Sequence, residues 1–133
     1  MPKSKTQVHL TPNRVFSLIE QKWGFKQSDF FDPCPENPKF DGLKIDWHQV
    51  NYVNPPFEVN TLTAFVEKAV AESEKFRTSI MLLPVKTDQD WFHDYIKDRI
   101  LNPENIVWIR KRLKFRNNPY HAPAPHFLVR IVN

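Results

Sequence analysis

Ser79-Ile80-Met81-Leu82-Leu83-Pro84 sets an unbroken apolar run between a serine and a proline. A strand made of such a run must be covered on both faces, which places it centrally in its sheet. Upstream, Leu62, Phe65, Val66, Ala69, Val70 and Phe76 lie along one stripe and predict a helix over 60–76, capped by Asn60 and charged on its other face. Downstream, Thr87-Asp88-Gln89-Asp90 opens a further helix, with Trp91, Phe92, Tyr95 and Ile96 as its apolar face and an end near Arg99.

Further out the same alternation continues. Thr11 as a cap and Pro12 at the first position start a helix over 12–23, with Val15, Leu18, Ile19 and Trp23 as its stripe and Gly24 as its stop. Phe30-Phe31 reads as a brief buried strand ending at Asp32-Pro33, and Val50 to Val53 as another, stopped at once by Asn54-Pro55-Pro56. Between them Pro33 to Asp46 is a long loop, because Pro35, Pro38 and Gly42 oppose regular structure. Ile106 to Ile109 and Phe127 to Val132 are the last expected strands. Strands alternating with helices imply an α/β sandwich, a mostly parallel sheet with helices on both faces.

The bulk numbers narrow the function classes. A chain of 133 residues suits one domain, expected over 11–133 behind a polar tail at 1–10. Its apolar runs fall far short of the ~20 residues of a membrane span. The polar, basic start has no apolar stretch behind it, so the expectation is a cytoplasmic protein. Cys34 is the single cysteine, which excludes an internal disulfide and a thiolate metal site. His9, His48, His93, His121 and His126 show no paired ligand spacing, so no metal is expected. Only two glycines are present, and neither GxxxxGK[ST] nor GxGxxG occurs. A net charge of +4 favours a polyanionic partner, since Lys and Arg displace counterions from phosphate.

In open α/β sheets ligands bind at the carboxyl ends of strands, and Asn54-Pro55-Pro56-Phe57 falls at such an end. An exocyclic amino group on a nucleic-acid base is a poor nucleophile while its lone pair is delocalised into the ring. Two acceptors, the Asn54 side-chain carbonyl and the Pro55 backbone carbonyl, can take its two hydrogens and aim the lone pair outward. Pro56 restricts the backbone before it, and Phe57 offers a face on which an extruded base can stack.

Asn54-Pro55-Pro56-Phe57 resembles the fourth motif of the amino-methylating DNA methyltransferases, and the rest of the chain is similar to the small N-6-adenine (Dam-like) enzymes of phages and prophages. The likeness rests also on Thr11-Pro12, Asp32-Pro33, Glu36-Asn37, Asp41-Gly42-Leu43, Asp46-Trp47, Leu82-Leu83-Pro84, Trp91-Phe92-His93 and Pro123-Ala124-Pro125-His126, which occur in the family's order. It implies a Rossmann-like methyltransferase sandwich, S-adenosylmethionine as cofactor and the 6-amino group of adenine in DNA as target, within the host cytoplasm if phage-encoded. It also implies cofactor contacts at Thr11, Pro12, Asp32, Pro33 and Asp46. Larger relatives carry a glycine-rich turn after the first strand; Cys34-Pro35-Glu36-Asn37 does not, as in the short phage members.

No separate target-recognition domain is visible. Arg110, Lys111, Arg112, Lys114 and Arg116, interleaved with Phe115 and followed by Tyr120, are the candidates for contacting nucleic acid within a basic, proline-rich insertion at 110–126. Trp91 and His93 read as packing and surface residues. Cys34 is given no nucleophilic role, which argues against carbon-5 cytosine methylation. The same motif also serves the amino group of cytosine, and RNA is a second possible polymer. A degenerate methyltransferase fold kept as a nucleic-acid- or partner-binding module is the reading from outside the enzymes. Monomer and homodimer are both compatible with the sequence.

Overall fold

The apolar run forms β2, Thr78–Pro84, in a computed structural model that describes residues 10–133. The expected tail at 1–10, apart from Leu10, and His9 lie outside the described residues. β2 lies between β1, Val50–Val53, and β4, His126–Ile131, while β3, Ile106–Trp108, forms the far edge. Only one buried strand was foreseen as central, and β2 is it: every residue from Ser79 to Pro84 is buried.

Strand direction departs from the expected mostly parallel sheet. β1 runs parallel to β2, with Val53 opposite Met81, but β4 runs antiparallel to both β2 and β3. The sheet is therefore mixed: β1, β2 and β3 share a direction and β4 opposes them. The cause is the connection from β3 to β4. Pro119, Pro123 and Pro125 prevent it from forming a crossover helix, so it returns the chain beside the strand it left. The expected strand at Phe30-Phe31 is reduced to one bridge, in which Phe31 N–H donates to the Val50 carbonyl and the Phe31 carbonyl accepts from Tyr52 N–H, each at 3.0 Å. Pro33 has no N–H with which to extend it.

Alternation along the strands builds two cores. Met81, Leu83, Val53, Phe127, Val129 and Ile131 face α2, Val59–Ser73, which contributes Leu62, Phe65, Val66 and Ala69. Ile80, Leu82, Tyr52 and Leu128 face α1, Asn13–Trp23, which contributes Val15 and Ile19. Helices thus cover both faces of the sheet, as the patterning requires.

Helix ends depart from the sequence reading for local reasons. Thr11 makes no cap bond to α1; its hydroxyl is used elsewhere. Gly24, at φ 82°, ends α1 in the left-handed conformation that suits glycine. α2 is capped by Glu58 rather than Asn60, its carboxylate accepting from Asn60 N–H at 2.9 Å and Thr61 N–H at 3.0 Å. α2 stops at Ser73, so Phe76 falls outside it and is exposed. The expected helix after Thr87 shortens to a π-helical turn over Phe92–Ile96, followed by 3-10 turns at Arg99–Leu101 and Pro103–Asn105.

Candidate active site at the carboxyl edge of the sheet

β1 ends at Val53 because Asn54 is followed by two prolines, and the chain turns there into Glu58 and α2. Asn54, Pro55 and Pro56 are all buried in this turn. Asn54 Nδ2 donates to Thr11 Oγ1 at 3.0 Å, and Thr11 Oγ1 lies 2.7 Å from the Tyr52 hydroxyl. Tyr52 precedes Asn54 by two residues, which sets both on one side of the strand. Burial raises the Tyr52 pKa, and although the Thr11 hydrogen bond lowers it, the nearby Asp32 charge raises it again. The phenol therefore keeps its proton at neutral pH.

Asp32 follows the bridge at Phe31 and stands at the same edge. Desolvation raises the pKa of its carboxyl, while the Cys34 N–H, donating to Oδ1 at 2.8 Å, works against that rise. Burial and the Asp32 charge push the Cys34 thiol up to about 12, so it stays protonated and is a poor nucleophile at neutral pH.

Two clefts open beside the Asn54–Phe57 turn. One, of about 340 Å³, runs between the loop after Asp32 and the start of α2 and is walled by Pro33, Cys34, Pro38, Phe40, Pro56 and Phe65. Its volume is in the range of small-molecule sites, about 300–1,000 Å³. The loop lacks glycine at the turn itself, where Asn37 takes φ 54°. Its close approach is made further on, at Gly42: a Cβ there would stand 1.8 Å from the Pro33 carbonyl oxygen. The other cleft, of about 130 Å³, is lined by Phe57, Pro84, Lys86, Pro123, Ala124 and His126. The Phe57 ring lies 6.0 Å from Phe115 and 5.4 Å from His126.

The basic segment reaches this edge by anchoring itself in the α1-side core. Leu113 and Phe115 are buried, whereas Arg110, Lys111, Arg112, Lys114 and Arg116 are exposed. The segment does this as an irregular loop. Arg14 and His121, which sequence reasoning passed over, join Arg110, Lys111, Arg112 and Lys114 along an open groove of about 540 Å³, with Pro12 in its wall. Arg14 Nη2 donates to the Arg110 carbonyl at 3.2 Å. Arg116 faces the other way: its Nε donates to the Thr11 carbonyl at 3.0 Å. Tyr120 is exposed nearby in sequence but does not line the groove.

Asp46 is not brought to this edge. It lies four residues before β1, paired with Lys75 Nζ at 3.4 Å and Arg77 Nη1 at 3.8 Å, at the amino end of the sheet. Both cations also pair with buried Glu72. Trp91 is core and His93 Nε2 meets the Thr87 carbonyl at 2.7 Å. Among the described residues no cluster of His, Cys, Asp or Glu is arranged to hold a metal, and no helix is long and apolar enough to cross a membrane. Tyr52 and Lys86 were also missed, and of these Tyr52 carried a signal, its place two residues before Asn54.

Pro56 of the buried turn lines one cleft and Phe57, the next residue, lines the other, while Pro12, next to Thr11, walls the basic groove. The family model of DNA N-6-adenine-methyltransferase (Dam) matches residues 1–125, and the chain belongs to that family. No curated protein matches it.

Proposed function

We propose that the protein transfers the methyl group of S-adenosylmethionine to the 6-amino nitrogen of adenine in DNA, on a base turned out of its stack. The observation that carries this is the Asn54 amide, held through Nδ2 by Thr11 in the turn whose Pro56 lines the wider cleft and whose Phe57 lines the smaller one. The wider cleft fits the cofactor: its walls are mostly apolar, its volume suits a nucleoside, and Asp41 on its lining, with Asp32 next to the lining residue Pro33, can accept from a hydroxyl. Asp32 and Pro33 would hold the cofactor there against Pro56; Asp46, at the opposite end of the sheet, has no part in this reading. When bound, S-adenosylmethionine supplies an electrophilic methyl group on a sulfonium.

The chain's own part is to bind and orient. Phe57 stacks on the extruded base beside the smaller cleft, and the Pro55 and Pro56 rings fix the turn. Asn54 Oδ1 and the Pro55 carbonyl accept the two amino hydrogens, which draws the lone pair of the nitrogen out of conjugation. The amino proton lost on alkylation passes to water. Preorganised acceptors of this kind supply most of the rate. Arg110, Lys111, Arg112 and Lys114, with Arg14 and His121, take the phosphate backbone along the groove, Tyr120 stacks at its margin, and Arg116 braces Thr11.

Calorimetric titration with S-adenosylmethionine tests the reading. Saturable binding is expected, weakened in Asp32→Ala; no heat at millimolar cofactor would sink it in favour of a binding module without catalysis.

A further inference from the structure

An amide side chain has nearly the same shape either way round, and only its hydrogen bonds decide which edge faces which neighbour. For Asn54 that choice matters, because an N–H edge facing the target amino group would repel it. On the reading of Asn54 as an acceptor of the amino hydrogens, we infer that Tyr52 and Thr11 are positioning residues that lock the Asn54 amide with its carbonyl edge toward the target.

Thr11 Oγ1 is 3.0 Å from Asn54 Nδ2 and 2.7 Å from the Tyr52 hydroxyl, and the three residues are 7%, 5% and 4% exposed for Thr11, Asn54 and Tyr52. A hydroxyl can serve either edge of an amide, offering its proton to the carbonyl or a lone pair to the amino group. Tyr52 can break the tie. Either hydroxyl of the Thr11–Tyr52 pair can be the donor; with Thr11 giving its proton to the Tyr52 oxygen, Thr11 presents a lone pair to Asn54, and only the N–H edge can meet it. Take the phenol oxygen away and the Thr11 proton can turn to the Asn54 carbonyl, reversing the amide and withdrawing the acceptor from the substrate.

Both partners are themselves held. The Tyr52 ring packs against Phe16 at 4.9 Å and Phe30 at 5.9 Å between ring centres. The Thr11 carbonyl accepts from Arg116 Nε at 3.0 Å, and the Leu10 carbonyl accepts from the Arg116 backbone N–H at 3.0 Å. A contact group supported by residues whose own conformations are fixed is what a preorganised site requires.

Tyr52→Phe keeps the ring and removes only the oxygen; Thr11→Val keeps the shape and removes the hydroxyl; Thr11→Ser restores it. The first two should lower kcat about tenfold, with KM for DNA and affinity for S-adenosylmethionine within about twofold, while Thr11→Ser stays near wild type. In Tyr52→Phe the side-chain amide NMR resonances of Asn54 should shift and exchange faster with solvent, at an unchanged melting temperature. Wild-type kcat in Tyr52→Phe, or an unaltered Asn54 amide signal, overturns the inference. A parallel fall of kcat and cofactor affinity in Thr11→Val also overturns it, making Thr11 a cofactor contact. Wild-type protein inactive on DNA, with the amide signal still responding to Tyr52→Phe, would instead remove the catalytic reading of Asn54 and leave only the hydrogen-bond lock.

Discussion

Asn54 Nδ2 donates to Thr11 Oγ1 across 43 residues of chain, tying the segment that leads into α1 to the turn that ends β1. The bond joins elements on the same edge of the sheet and fixes one edge of an amide whose other edge is the chemically useful one. Replacing Asn54 by Ala removes the acceptor along with this tie. Methyl transfer should fall at least about 100-fold, the order seen when one preorganised polar group is lost from a site. The fold should lose no more than about 1–2 kcal/mol, the worth of a hydrogen bond, and cofactor binding should persist. Single-turnover transfer assays with thermal melts check this.

Arg112→Ala with Lys114→Ala should weaken DNA binding and reduce the magnitude of the log–log salt slope by about 1.8, if each cation meets one phosphate. Fluorescence anisotropy over a salt series measures it. An unchanged slope would move the contact surface off the groove.

Arg116→Ala should behave differently from its neighbours. Its Nε is engaged with Thr11, so its loss should lower kcat more than it alters the salt slope. A variant that changes only the slope would return Arg116 to the phosphate-binding set.

Gly42→Ala puts a methyl group 1.8 Å from the backbone oxygen of Pro33, which no side-chain adjustment can relieve. The loop walling the wider cleft must shift. Expected are a loss of about 1–3 kcal/mol in stability and weaker binding of S-adenosylmethionine, read by melting and calorimetry. Unchanged cofactor affinity would place the cofactor away from that cleft.

Glu72 should contribute to acid stability. Burial alone would raise its carboxyl, but hydrogen bonds from Arg77 and Lys68 outweigh this and hold its pKa below the ordinary value of 4.5. A depressed folded-state pKa contributes stability above the unfolded value, and the contribution is lost as pH falls below about 4.5 through the folded one. Glu72→Gln should therefore melt below wild type at neutral pH, with the gap closing under acid. A gap constant from pH 7 to pH 3 would contradict this.

Much of the framework was legible because its signals are local. Two prolines end β1 where the sequence says they must, and the apolar run from Ile80 to Leu83 could only be a central strand. The direction of β4 was not legible, since it depends on how the proline-rich return packs. Thr11 read as a helix cap because a threonine before Pro12 usually is one; only the tertiary fold brings Tyr52 and Asn54 to its hydroxyl. Asp46 lies close to Asn54 in sequence, but its ion pairs with Lys75 and Arg77 stand before β1, at the other end of that strand. Arg14 and His121 carry no signal of their own, and become groove residues only when the segment after β3 folds back on α1.

The most direct measurement is mass spectrometry of nucleosides from unmodified DNA digested after incubation with the protein and S-adenosylmethionine. N6-methyladenine is expected with wild-type protein and should be absent with Asn54→Ala. Unmodified nucleosides throughout, or N4-methylcytosine as the sole product, would contradict the assignment.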